Sequence, residues 1–176
     1  MAMADRWFLA IWPDAQARTA LERQVSRLGP LPGRATHPLD WHLTLVFLGE
    51  LAPERLACVE TVPIAIAAHT APFEVSLTQI DRFPHAQVLW CGPDHTPEPL
   101  AHLVADLQSA LAACGIVPES RPYRPHLTLA RRVRAAPARR FQSPITWTVR
   151  ELVLAFGIAG ARPGYRIQRR YPCGAP

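Results

Sequence analysis

The stretch WHLTLVFLGE, Trp41–Glu50, decides how the chain is read. Half a chain later comes RPHLTLARRV, Arg124–Val133, so the tetrapeptide His-Leu-Thr-Leu stands at 42–45 and again at 126–129. In an extended strand, residues two apart share a face. His42 and Thr44 therefore project together, with Leu43 and Leu45 opposite. His126 and Thr128 do the same against Leu127 and Leu129. The leucines are expected to bury under helices, which leaves two His/Thr faces for a cleft.

Working outward, RWFLAI (6–11) reads as a buried strand. Pro13 and Asp14 open a helix with an apolar stripe at Leu21, Val25 and Leu28, closed by Gly29. Pro53 opens a second helix through Ala68, and Pro63 within it predicts a kink or an early end. Phe73–Ile80 alternates apolar and polar residues as a half-buried strand does, and pairs with Gln87–Gly92 across a hairpin. Thr96 as N-cap and Pro97 as first helical residue open a third helix, striped by Leu100, Leu103, Leu107 and Leu111 and ended by Gly115. After the second His-Leu-Thr-Leu strand, residues 134–144 read as a loop, 145–156 as one strand and 164–171 as the last strand.

Short connections favour hairpins, hence an α+β fold with antiparallel sheet. Each His-Leu-Thr-Leu copy follows a helix that stops at glycine and a proline-rich linker. This faint half-chain repeat implies two similar lobes about a pseudo-two-fold axis, within a single domain of residues 1–176.

Composition narrows the chemistry. The chain has no lysine, and all 19 basic residues are arginine. Schiff-base catalysis, a lysine adenylate and a phosphate-loop lysine are thereby excluded. Residues 1–120 carry 7 Arg against 13 Asp/Glu, whereas residues 121–176 carry 12 Arg against Glu151 alone. An arginine-rich final third suits an anionic partner, with nucleic acid the leading candidate. No apolar run is long enough to span a bilayer. The N-terminus, with Asp5 and a short apolar segment, lacks the pattern of a secretory signal, which implies a cytoplasmic protein. Cys58, Cys91, Cys114 and Cys173 are widely spaced and are expected to be free thiols.

Two imidazoles across one cleft can divide the labour of acid and base, because histidine titrates near neutrality. The hydroxyls of Thr44 and Thr128 can donate to phosphate oxygens. Arg131 stands five residues after His126, an odd offset that would face the other way on an unbroken strand; a bulge or the strand's end could bring it onto the same face. Such a site suits in-line displacement at phosphorus without a metal. A metal-binding use of the histidines competes, but Asp40 is the only acid close to either motif. His37 and His85 are expected in loops, His69, His95 and His102 on the surface, and Trp41, Phe47 and Trp90 in the core.

The paired H-x-T-L motifs, with RWFLAIWP at the start and GYRIQRRYP near the end, resemble the 2H phosphoesterase superfamily and its RNA 2′,3′-cyclic phosphodiesterase branch, also called 2′–5′ RNA ligase. That resemblance implies a bilobal α+β fold, two antiparallel sheets facing a central cleft with helices outside. It implies hydrolysis of RNA 2′,3′-cyclic phosphate ends to 2′-phosphomonoesters, with a reversible, ATP-independent 2′–5′ ligation. His42 and His126 would be catalytic, His126 as base and His42 as acid, and Thr44, Thr128 and Arg131 would hold the phosphate. No cofactor or metal is implied, and the enzyme is expected to act as a monomer. A cyclic phosphodiesterase of a small nucleotide metabolite and a catalytically idle RNA-binding module remain open as alternatives.

Overall fold

A computed structural model describes residues 6–117 and 119–174. Asp5 and the last two residues of the sequence lie outside the described residues. In chain order the elements are β1 (Arg6–Ile11), α1 (Ala15–Ser26), β2 (Arg34–Ala35), β3 (Leu43–Gly49), α2 (Pro53–His69), β4 (Phe73–Phe83), β5 (Val88–Gly92), α3 (Glu98–Leu111), β6 (Leu127–Arg131), β7 (Arg139–Val149), β8 (Glu151–Gly157) and β9 (Tyr165–Pro172). Every strand pairing is antiparallel.

The sheet order is β7-β4-β5-β6-β3-β1-β8-β9, with β2 added beside β6. Its middle is a seam. β3 and β6 join through a single residue pair, Leu43 with Leu127. The two sheets expected from sequence are thus two four-stranded halves stitched at one point. Strand–helix–strand units β1-α1-β3 and β5-α3-β6 occupy matching places on either side. An antiparallel pairing of equivalent leucines is what a two-fold axis through the seam requires. Leu43, Leu45, Leu127 and Leu129 are all buried, so the leucine faces form the core beneath the helices.

The helices follow their sequence cues with informative departures. Asp14 caps α1 by accepting from the Ala17 N–H at 2.8 Å, and Ala17, Leu21 and Val25 form its buried stripe. Pro63 does not end α2, which runs on to His69. Val59, Pro63 and Ala67 are spaced four apart and all buried. Burying this stripe outweighs the backbone hydrogen bond that proline forfeits. Thr96 is not the cap of α3; Pro97 takes that place and the helix starts at Glu98.

Residues 134–144 are only partly a loop, since β7 begins at Arg139. The single strand expected over 145–156 is two strands that part at Arg150. β7 joins β4 in one half and β8 joins β1 in the other. The break is written in burial: Ile145, Trp147 and Val149 alternate, whereas Leu152–Ala155 is continuously buried. The first pattern is a half-covered edge strand and the second an interior one. The cysteine reading also needs correction. Cys58 on α2 and Cys114 after α3 form a disulfide, Cα–Cα 5.7 Å, because α2 lies against α3. Cys91 and Cys173 are free.

Candidate active site

His42 precedes β3 by one residue and His126 precedes β6 by one residue, so the two flank the seam. Each is fixed in the same way. The Nδ1–H of His42 donates to the Asp40 carbonyl at 2.7 Å, and that of His126 to the Arg124 carbonyl at 2.8 Å. A carbonyl only accepts, so both rings carry their proton on Nδ1 and leave Nε2 as an acceptor. Thr44 Oγ1 lies 3.2 Å from His42 Nε2, which confirms that the first His/Thr pair shares a face.

Arg131 does reach that face. β6 pairs Ala130 with Leu89 but Thr128 with Trp90, so Leu129 is an extra residue, a bulge. Arg131 pairs with Val88, two residues before Trp90. Arg131 and Thr128 therefore face the same way. In line with this, the charge of Arg131 acts on both histidines.

The two walls differ in dryness. The His42 ring stacks against Phe8 (4.8 Å) and Trp12 (4.6 Å), which are themselves 6.2 Å apart, with Tyr165 edge-on at 5.0 Å. His126 meets Phe83 edge-on at 4.9 Å and Trp90 at 6.4 Å. Burial pushes His42 down to about 4, opposed by the Asp40 carbonyl and helped by the charges of Arg131 and His126. Burial also lowers His126, against the Arg124 carbonyl and with the charges of Arg131 and Arg124. In the free protein burial thus favours the neutral form of both imidazoles. An anion placed between them would raise both.

Sequence reasoning misplaced Phe47 and overlooked four residues. Trp41 and Trp90 are in the core as expected, but Phe47 is 49% exposed. It pairs with Phe8, which faces His42, so Phe47 also lies on the cleft face. Phe8, Trp12 and Tyr165 went unnoticed because an apolar strand does not announce which of its faces packs on a histidine. Asp40 was read only as a nearby acid. Its carboxylate accepts from the N–H groups of Gly164 at 2.8 Å and Tyr165 at 3.2 Å, which ties the β8–β9 loop to the cleft. Tyr123 bridges the halves by donating its hydroxyl to the Thr44 carbonyl at 3.0 Å. His37 caps a short turn and His85 sits at the β4–β5 turn. Among the described residues, no three His, Cys, Asp or Glu side chains gather as metal ligands, and no helix is long and apolar enough to cross a membrane.

A bilobal α+β frame with one His-Leu-Thr-Leu strand from each half, joined at a two-fold seam, defines the class of 2H phosphoesterases. The pattern of the 2′-5′ RNA ligase superfamily matches residues 11–155, and the chain belongs to that family. A curated relative from Escherichia coli K12, an RNA 2′,3′-cyclic phosphodiesterase, is 30% identical over 132 residues, 74% of each chain. A protein of the same name from Geobacillus stearothermophilus is 30% identical over 73% of this chain, but the match spans 42% of that protein's length. The crystal structure of E. coli LigT complexed with 3′-AMP superposes with a TM-score of 0.85 at 26% identity, covering 97% of this chain and 99% of that one.

Proposed function

We propose that the chain is a cyclic phosphodiesterase that opens RNA 2′,3′-cyclic phosphate ends to 2′-phosphomonoesters. The observation that carries this reading is the matched pair of Nδ1–H bonds, which leaves Nε2 as the acceptor nitrogen of both histidines on either side of one seam, with the Thr44 hydroxyl beside that of His42. The names of the curated relatives support the substrate class. With the cyclic phosphate between the histidines, Thr44 and Thr128 donate to its non-bridging oxygens and Arg131 neutralises its charge. His126 lies on the wetter wall and takes a proton from the attacking water. The P–O3′ bond breaks as the new P–O bond forms, and His42 donates a proton to the departing 3′ oxygen. The entering anion raises His42 and lets it hold that proton. If a 5′-hydroxyl replaces water, the same displacement yields a 2′–5′ linkage without ATP. No step calls for a metal or a cofactor.

One chain supplies both walls, which supports reading residues 1–176 as a single unit, expected to act as a monomer. The cytoplasmic location expected from sequence stands as part of this proposal, although the Cys58–Cys114 disulfide pulls against a reducing compartment. The test is incubation with adenosine 2′,3′-cyclic phosphate in EDTA and identification of the product. A 2′-phosphate is expected. A 3′-phosphate would overturn the leaving-group geometry, and no turnover between about pH 5 and 9 would leave the RNA-binding module. The acid role predicts that His42→Ala, and not His126→Ala, recovers on a nucleotide p-nitrophenyl phosphodiester, whose leaving group needs no proton.

A further inference from the structure

The cleft is symmetric in its histidines and threonines but not at its ends. β3 and β6 run antiparallel through the Leu43–Leu127 pair. The end of the cleft that holds Arg131 therefore also holds the loop leading into His42. Thr36 confirms this by donating from its N–H to the Leu129 carbonyl at 2.9 Å. The opposite end holds Phe47.

Arginines from three separate segments converge at the Arg131 end. β2 pairs Arg34 with Arg131. Arg132 follows with φ +59, a left-handed turn at the rim. The backbone at Gly33 lies so close that a Cβ there would stand 2.3 Å from the Arg131 carbonyl oxygen and 2.9 Å from that of Arg132. From the β8–β9 loop, the Arg162 guanidinium donates to the Ala35 carbonyl at 3.4 Å. Arg34, Arg132 and Arg162 are exposed, and among the described residues none of them forms an ion pair. Asp40, the carboxylate of these segments, is already engaged by the N–H groups of Gly164 and Tyr165. Like charges drawn together without counter-charges repel one another, and an anionic chain laid across them relieves that repulsion.

We propose that Arg34, Arg132 and Arg162 form a track for the sugar-phosphate backbone of single-stranded RNA, so that the strand leaves the cleft over the Arg131 end and an RNA oligonucleotide is preferred to a free cyclic mononucleotide. The inference rests on the cyclic phosphodiesterase reading and adds the direction of the strand and the substrate class. A small cyclic metabolite would leave the track unused. The track lies beyond the reacting phosphate, so it acts on binding and not on the chemical step.

The test compares the wild type with the triple variant Arg34→Gln/Arg132→Gln/Arg162→Gln. Substrates are a hexanucleotide ending in a 2′,3′-cyclic phosphate and adenosine 2′,3′-cyclic phosphate, across roughly 50 to 200 mM salt. The variant is expected to raise KM for the hexanucleotide about 10-fold while mononucleotide turnover stays within about twofold, and to take about 2 off the log–log salt slope, near 0.7 per lost phosphate contact. Equal losses on both substrates, or an unchanged hexanucleotide KM and salt slope, would overturn the track. If the wild type turned over neither substrate, the phosphodiesterase reading would fall on its own. Fluorescence anisotropy with a labelled hexanucleotide 2′-phosphate would then judge the track: weaker, less salt-sensitive binding by the variant supports it, and equal binding sinks it.

Discussion

Phe47 and Arg131 hold equivalent places in the two halves. Each stands five residues after its histidine, and each is turned onto the cleft face by an extra residue three places after that histidine. In β3 the extra residue is Leu45, since Leu9 pairs with Val46 and Ala10 with Thr44; in β6 it is Leu129. At these two positions the pseudo-symmetry is kept to the level of the bulge and broken in the side chain. One half places a cation on the cleft face, the other an exposed phenyl ring; in the proposed reaction these would meet a phosphate and a nucleobase.

Removal of Arg131 should act on the reaction. Arg131→Ala is expected to lower kcat/KM about 10²- to 10³-fold, the scale of losing one preorganised charge donor at a transition state. Arg131→Lys should recover only part, because an ammonium cannot present two parallel donors. Steady-state kinetics on a cyclic mononucleotide check both, and a mild loss for the alanine variant would remove Arg131 from the site.

Phe47 should act on binding instead. Base stacking on an aromatic ring is worth about 1–3 kcal/mol by alanine substitution and tolerates any base. Phe47→Ala is therefore expected to raise KM about 10-fold with kcat little changed, alike for adenosine and cytidine cyclic phosphates, while Phe47→Tyr stays close to wild type. A drop in kcat at unchanged KM would contradict a stacking role.

The histidines also make folding stability depend on pH. An unfolded histidine takes up its proton near 6.5, whereas folded His42 does so only at about 4. Between these values the unfolded chain binds more protons, so stability is complete above the window and is lost as pH falls through it. Each such histidine contributes up to about 1.4 kcal/mol per pH unit. Denaturant unfolding at pH 7.5, 6.5 and 5.5 should show this decline. His42→Phe, a ring for a ring against Phe8 and Trp12, should flatten it. The same slope in the variant would show that His42 does not carry it.

The doubled His-Leu-Thr-Leu was enough to place both histidines, both threonines and the leucine cores, because a strand's two-residue period needs no tertiary context. The parity of its spacing also showed that Arg131 needed a bulge or the strand's end to reach the cleft face, and the structure supplies the bulge. What stayed hidden depended on pairing between distant segments. Phe47 looked like one more apolar strand residue until its partner Phe8 was known to face His42. The division of 145–156 at Arg150 is a choice between two halves of the sheet that no local propensity records. The Cys58–Cys114 pair required α2 and α3 to be neighbours, which spacing in sequence does not reveal.

That pair makes its own prediction. Cys58 and Cys114 close a loop across 56 positions, so the disulfide restrains the unfolded chain. Cys58→Ser/Cys114→Ser is expected to cost about 2–4 kcal/mol in denaturant unfolding without changing kcat, since neither residue belongs to the cleft. Alkylation under non-reducing, denaturing conditions should modify Cys91 and Cys173 alone. Modification of all four thiols would restore the reading made from their spacing.

Asp40 links the most structure to the chemistry through one residue. Its carbonyl fixes the His42 tautomer, and its carboxylate holds the backbone at Gly164 and Tyr165, which sets the Tyr165 ring edge-on against His42. Arg124 holds the equivalent place before His126. There the side chain lies over Trp90 at 4.6 Å and carries no such loop. Asp40→Ala keeps the carbonyl but leaves the N–H groups of Gly164 and Tyr165 without their acceptor, at a cost of about 1.5–3 kcal/mol for a hydrogen bond to a charged group. Tyr165 then loosens from His42 and water reaches the imidazole. His42 should titrate closer to 6.5, visible by NMR as an upward shift of its protonation midpoint, and kcat should fall about 10-fold with KM little changed. Asp40→Asn retains an acceptor oxygen and should lie between the two. A lower melting temperature with an unmoved His42 midpoint would reduce Asp40 to a structural tie alone.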